Sequence, residues 1–311
     1  MFNSTHTFVG LAVARTGLDR WVPYATATAV VAANLPDVEI LSGLSGTAAY
    51  LDHHRGISHS LIGVPCLALL LSAAMCVFSG KFWKTFVVAL AAMATHPLLD
   101  YANNYGLRPF LPFNNTWYYG DVLFIFDLYL DFILLAGIVL GARFKEQRQL
   151  FARVSLIVAV AYVGVRIELR ESAAAKMREL AARTPAVQDW AVLPTMVNPA
   201  AWYGILKTET QFIEVRVDAF RGIGAEIARI DRNAASEIVE HAQKSASAAA
   251  LLRFARFPAI RVKMTASGYR VQFFDFRFYN EGLQTALGAE VLLDRSLHVT
   301  KESLSFVQPV N

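Results

Sequence analysis

Asp52-His53-His54-Arg55-Gly56-Ile57-Ser58-His59-Ser60, running straight into the uncharged apolar stretch 61–79, decides how this chain reads. Three of the seven histidines fall between positions 53 and 59. The run that follows is close to the roughly 20 apolar residues a helix needs to cross a hydrocarbon layer of about 30 Å. Metal-ligand chemistry is therefore placed at the mouth of a membrane helix.

Outward from that stretch, composition points the same way. Of the 311 residues, 55% are hydrophobic and 17% charged, and the mean hydropathy is positive, which is unusual for a soluble enzyme. The apolar excess lies before residue 166. Segments 4–16 and 21–34 read as a short helical hairpin, 41–46 as a Gly/Ser loop, and 61–79 as the best membrane helix. Residues 85–100 form the next helix, 101–120 an aromatic, proline-punctuated interface loop, and 122–141 and 154–165 the last apolar helices. Cys66 and Cys76 sit inside one apolar run at a spacing of ten and read as packing residues. Arg15, Asp19 and Arg20 stand where a signal peptide would carry its apolar core.

The net charge of +4 gathers at helix ends, so it reads as topology bias and not as a nucleic-acid surface. Arg15, Arg20, Lys81, Lys84, Arg143, Lys145, Arg148 and Arg153 fall on one side of the layer, with Arg55 and Arg108 as the exceptions to the division. His6, Asp37, the histidine stretch, His96, Asp100 and Asp121 fall on the other. The expectation is a bacterial inner-membrane protein with its histidine-bearing face outside the cytoplasm.

Beyond Arg166 the charge density becomes that of a globular domain. A charged helix is expected over 168–183, an irregular connection over 185–199, strands over 212–220, 259–265, 269–279 and 290–293, and a polar helix from about Ala234 to Arg253. The fold class is thus a polytopic α-helical membrane domain, 1–165, followed by a small α+β extramembrane domain, 166–311. His241 and His298 lie in that second half without nearby ligand-type residues and read as surface groups.

Several residues carry the chemistry. His96 and Asp100, four apart, share one face of a continuous helix, although Pro97 favours a kink. His54 and His59 flank a glycine turn that lets both imidazoles reach one centre. Asp37 follows a proline at a helix end, and His6 opens the first segment. Imidazoles with carboxylates and no thiolate suit an open catalytic site for a divalent metal, zinc first, with manganese or iron as alternatives. Asp127 and Asp131 lie within an apolar run, where carboxylates pair or function. A lone histidine such as His6 is more often a packing residue, and the His96/Asp100 pair alone could be a helix cap. The cluster and the pair on a common face favour the metal.

The set Thr5-His6, Leu35-Pro36-Asp37, His54-Arg55-Gly56 with Ser58-His59-Ser60, His96 with Asp100, and Asp121 to Asp127 resembles the YdjM-type family of membrane-bound metal-dependent hydrolases, over about residues 1–141. Glu39 departs from it, standing where that family commonly has a second Asp, and His53 is an addition without an assigned role. The resemblance implies a metal-dependent hydrolase and establishes no substrate; because a site at helix mouths meets lipid head groups, the expectation is a metal-activated water acting on a phosphoester or lipid-linked substrate, with membrane lipids as neighbours. His6, Asp37, His54, His59, His96 and Asp100 would be ligands. Asp121 or Asp127 would be general base or orienter, and Arg55 would hold a phosphate. The competing readings are a metal or proton transporter with Asp100, Asp127 and Asp131 along a polar path, and an envelope adaptor with a structural metal whose second half binds an unidentified protein. The tail Asn198-Pro199 with Trp202, Arg256-Phe257-Pro258 and Asp275-Phe276-Arg277 resembles that of a subgroup of the family.

Overall fold

The computed structural model describes residues 1–232, 236–279 and 285–309. They form two compact units: Met1–Glu39 with Arg55–Ser172 and Pro194–Ala201, and Ile40–His54 with Ala173–Leu193 and the chain from Trp202 on.

In the first unit, α1 (Asn3–Arg15) crosses α2 (Ala25–Asn34) at close range. A Cβ on Gly10 would lie 2.6 Å from the Ala33 Cβ and 2.9 Å from the Ala29 carbonyl oxygen. Only small residues permit that approach, the usual basis of helix packing in lipid. The core they share with later helices is correspondingly rich in alanine: Ala14, Ala25, Ala29, Ala32, Ala33, Ala68, Ala89 and Ala92.

Past α2 the expected loop at 41–46 is instead the end of a 3-10 segment, Leu35–Ser45. Pro36 sits in its first turn, where a missing N–H costs nothing, and Gly43 does not break the winding. With α2 it makes a continuous apolar rod, Ala25–Ser45. After α3 (Thr47–His53), in the second unit, α4 (Gly63–Ser79) returns to the first. The single helix expected over 85–100 is two, α5 (Phe82–Met93) and α6 (Thr95–Ala102), meeting at Ala94. Pro97 is the cause, because its ring clashes with the carbonyl four residues earlier, at Met93.

The helix expected from residue 122 begins at α7 (Leu128–Arg143), where Asp127 is the N-cap and its carboxylate accepts from the Leu130 amide. Residues before it are not helical, and Leu123 is bridged to Asn103. By contrast, the two helices expected over 154–165 and 168–183 are one, α8 (Arg148–Arg183). At about 1.5 Å per residue its 36 residues extend about 54 Å. Arg166, the charge that divides it in sequence, is buried and donates to the Val122 and Pro199 carbonyls, so it joins the fold without ending the helix.

Three helical stretches are long and apolar enough to cross a membrane: Ala25–Ser45, Phe82–Ala102 and Lys145–Arg183. A fourth arises if Thr47–His59 and Gly63–Ser79, bent by 79°, count as one span. The stretch expected to be the best membrane helix therefore qualifies only with its bent partner, since α4 alone has 17 residues.

The second unit holds two four-stranded sheets. The first is β1 (Val187–Pro194), β2 (Ala201–Thr208), β3 (Gln211–Asp218) and β4 (Gly222–Asp231), in that order. After α9 (Glu237–Ala242) and α10 (Ala246–Phe254), an antiparallel meander follows: β5 (Pro258–Thr265), β6 (Gly268–Asp275), β7 (Ala286–Asp294) and β8 (Val299–Val307). The polar helix expected from Ala234 has its start outside the described residues. Its body is split because Ser245 caps α10 through the Ala248 amide. β1, β2, β4 and β8 were not expected as strands. Prolines and glycines mask the first three, and β8 is an exposed, polar edge, the composition that protects an edge from pairing. The core is aromatic, with Trp202, Phe212, Phe254, Phe257, Phe273, Phe274 and Phe276 fully buried. Asp275 pairs with Arg277 at 2.6 Å and accepts from the Arg256 and Phe257 amides, which gives the Arg-Phe-Pro and Asp-Phe-Arg motifs a structural task.

Candidate metal centre

Four ligand-type side chains converge in the first unit: Asp37, in the 3-10 segment; His59, in a short turn before α4; and His96 and Asp100, one helical turn apart on α6. Each offers one atom, and those atoms lie within 4.8 Å of one another. The nitrogens His59 Nε2 and His96 Nε2 are 3.1 Å apart. Asp37 Oδ1 is 3.5 Å from both, and Asp100 Oδ2 is 3.4 and 3.6 Å from them. Four donors around one zinc at 2.0–2.1 Å stand about 3.4 Å apart in a tetrahedron. The four His–Asp edges, 3.4–3.6 Å, match that separation, and the His–His edge of 3.1 Å is slightly shorter.

The surroundings fix each ligand. His96 Nδ1 lies 2.7 Å from the Ala33 carbonyl, so the ring donates there and turns an Nε2 lone pair toward the cluster. His59 Nδ1 faces Ser58 Oγ at 3.1 Å and Glu39 Oε2 at 3.5 Å. Glu39 also accepts from the Arg55 amide, from the Gly56 amide at 3.3 Å and from Ser58 Oγ at 2.7 Å, binding the His-Arg-Gly loop to the 3-10 segment. Arg55 approaches Asp100 with Nε at 2.9 Å and Nη2 at 3.1 Å. Its Nη1 donates to Asn103 Oδ1 at 2.8 Å and the Gly106 carbonyl at 3.0 Å. The Met1 amino group also pairs with Asp100, and burial pulls that amine down to about 6, with Asp100 opposing the shift.

These residues fit a divalent cation. Two imidazole nitrogens face each other and two carboxylates, all in a buried pocket, and a cation satisfies every one of them at once. Among the four, only Asp37 reaches solvent, with a side chain 24% exposed against 0–2% for the others. Solvent therefore reaches the cluster at Asp37.

The other sequence candidates have different settings. His6 is buried, stacks on His96 with centroids 3.6 Å apart, and holds Nε2 3.5 Å from Asp100 Oδ1. It flanks the four-residue group. His54 belongs to the second unit, with its ring 5.1 Å from Tyr50 and 6.5 Å from Phe254, and is not one of the four. His53 is exposed, with Nδ1 2.8 Å from the Ala49 carbonyl. Arg55, expected to hold a phosphate, has its guanidinium engaged by protein oxygens. Asp121 is buried at a positive φ of 54° beside Asn103. Asp127, expected as base or orienter, caps α7 and accepts from Tyr162 at 2.9 Å. Asp131 accepts from Thr5 at 2.6 Å. Sequence reasoning missed Glu39 and Asn103 as supporting groups. The available signal was Asp37-Val38-Glu39, two carboxylates two residues apart ahead of a histidine loop.

A helical membrane domain with a buried His/Asp cluster, joined to a two-sheet domain, defines a membrane-bound protein with a candidate metal site. Residues 1–173 match the family described as YdjM inner membrane protein, and the chain belongs to that family. Residues 237–308 match the YfhP C-terminal alpha/beta plait domain. The chain is 24% identical over 294 residues to the uncharacterized protein YfhP of Bacillus subtilis (strain 168), covering 91% of this chain and 88% of that one. No solved structure matches.

Proposed function

We propose that this protein is a membrane-bound metal-dependent hydrolase acting on a phosphoester or lipid-linked substrate. The supporting observation is the tetrahedral spacing of Asp37, His59, His96 and Asp100 in a buried pocket with one solvent-reaching edge. A divalent ion held there would supply Lewis acidity; with all four side chains bound it would take a water only by rising above four-coordination, and the pKa of that water would then fall toward neutrality. The chain's own residues do the rest. Ala33 and Glu39 set the imidazole tautomers, Arg55 fixes Asp100, and Asp37 faces the solvent. Zinc suits the donor set and spacing. Manganese or iron, with higher coordination numbers, leaves more positions for water once all four side chains bind.

The transporter reading has less support because Asp127 and Asp131 each have local structural partners. The charge division supports a site and C-terminal domain on the extracytoplasmic side of the inner membrane. Metal analysis of the purified protein, with and without His59→Ala and His96→Ala together, tests the centre. A metal-free wild type, or a double variant with full metal content, refutes it. Hydrolysis of a phosphodiester panel by loaded but not by metal-depleted protein tests the activity.

A further inference from the structure

A cavity of about 510 Å³ opens beside the cluster, with His59, Pro65, Leu90, Leu98, Phe110 and Tyr118 among its lining residues. It lies wholly in the first unit. Its volume is in the range of small-molecule sites, about 300–1,000 Å³. Such sites ordinarily pair apolar walls with a few polar groups that orient the ligand. Here no Asp, Glu, Lys or Arg lines the wall. The polar side chains of the lining are His59, Ser60 and the tyrosines 101 and 118, so the wall's polar groups are confined to its His59 end and two phenols. Leu61, Leu98 and Phe110 are exposed at 67%, 68% and 43%, so the walls continue into apolar surface. A sugar or nucleotide would leave most of its polar groups unpaired in this cavity, a cost of kilocalories for each. A hydrocarbon chain leaves none.

We infer that this cavity holds the hydrocarbon chain of a lipid phosphoester, with the phosphate end at His59. The inference rests on the metal-centre reading and narrows its substrate class. The chain would enter from the apolar surface at Leu61 and Leu98, run between α4 and the α5–α6 break, and lie under the Leu107–Tyr118 loop. That loop is tied to the α4 entrance by the Leu61 amide donating to the Pro109 carbonyl at 2.9 Å. The walls therefore belong to the same framework as His59. Acyl phospholipids and polyprenyl phosphates share this chemistry.

The test uses full-length, metal-loaded protein held in amphipol, titrated calorimetrically with butyl, octyl and dodecyl phosphonates. Each methylene that enters the cavity should tighten binding roughly fourfold, from about 0.8 kcal/mol per buried CH₂. Pro65→Trp and Leu90→Phe each fill the cavity and should flatten the series at shorter chain lengths, with metal content equal to wild type. Loaded wild type whose affinity is independent of chain length overturns the inference and leaves the metal centre standing. Filling variants that fold, keep their metal and retain the wild-type series also overturn it. Metal-free protein should keep the increment per methylene while binding every phosphonate more weakly; equal affinity with and without metal would overturn the placing of the phosphate end at the centre. Competition against dodecyl phosphonate by a diacyl phosphatidic acid or by a polyprenyl phosphate identifies the source, and competition by neither overturns the assignment.

Discussion

Arg55 and Asp100 meet through two guanidinium nitrogens and both carboxylate oxygens, with side chains only 3% and 2% exposed. Breaking a buried pair leaves an uncompensated charge, at about 3–5 kcal/mol. Arg55→Met should therefore destabilise the metal-depleted protein by that order and the loaded protein by less, because a cation compensates Asp100 in its place. Denaturant unfolding of both forms measures the difference. Equal losses with and without metal would show that Asp100 and the ion do not interact.

Glu39 offers a gentler probe of the same centre. It reaches His59 Nδ1, Ser58 and two amides of the histidine loop. Groups that orient a ligating imidazole in this way typically change metal affinity by about 10–100-fold when removed. Glu39→Gln keeps the size and the ability to accept, but loses the charge facing His59. Metal affinity, read by competition with a chromophoric chelator, should fall within that range while the fold persists. An unchanged affinity would reduce Glu39 to a loop staple.

Much of this arrangement is readable from the residues alone, and the parts that are not share a physical cause. Asp37, His59, His96 and Asp100 stood out because each is a metal-type ligand at the end of an apolar segment. His54 stood out equally. It lies one residue before Arg55, yet the chain passes from one unit to the other between them, and no local pattern records that passage. Asp127 looked like a buried membrane carboxylate because hydropathy cannot tell the inside of a helix from its cap. The α5–α6 break was foreshadowed by Pro97, whereas β1 and β4 were hidden by the same prolines and glycines that usually mark loops.

The cap assignment makes its own prediction. Losing an N-cap costs about 0.5–2 kcal/mol, and Asp127 also accepts from Tyr162. Asp127→Ala should lower stability by about that amount without changing metal content or the pH profile of hydrolysis. A shifted profile with intact stability would restore the general-base role expected from the sequence.

Asp52 and Arg253 join α3 to α10 by two hydrogen bonds of 2.8 and 2.7 Å, at side-chain exposures of 32% and 56%. Exposed pairs are typically worth roughly 0–1 kcal/mol, and the bidentate geometry here places this one toward the upper end. The reversal Asp52→Arg with Arg253→Asp should restore whatever each single change loses. A thermal-melt cycle reads this, and a single-variant loss well above 1 kcal/mol would mean that α3 is held here and not by its apolar contacts.

Gly10 links helix packing to the metal centre. The Ala33 Cβ and the Ala29 carbonyl lie 2.6 and 2.9 Å from where a Gly10 Cβ would stand, and the Ala33 carbonyl orients His96. Gly10→Ala must push α2 away from α1, and overpacking of this kind costs about 1–3 kcal/mol. Because the displaced residue carries the acceptor for His96 Nδ1, metal affinity should fall together with stability. Adding Ala33→Gly removes the nearer obstacle while keeping the carbonyl, so the double variant should recover part of both losses. Residues in contact are expected to couple in this way, by about 0.5–3 kcal/mol. The Ala29 carbonyl still crowds the new methyl, so recovery should be incomplete. If stability falls while affinity stays at the wild-type value, the α1–α2 crossing and the His96 orientation are independent.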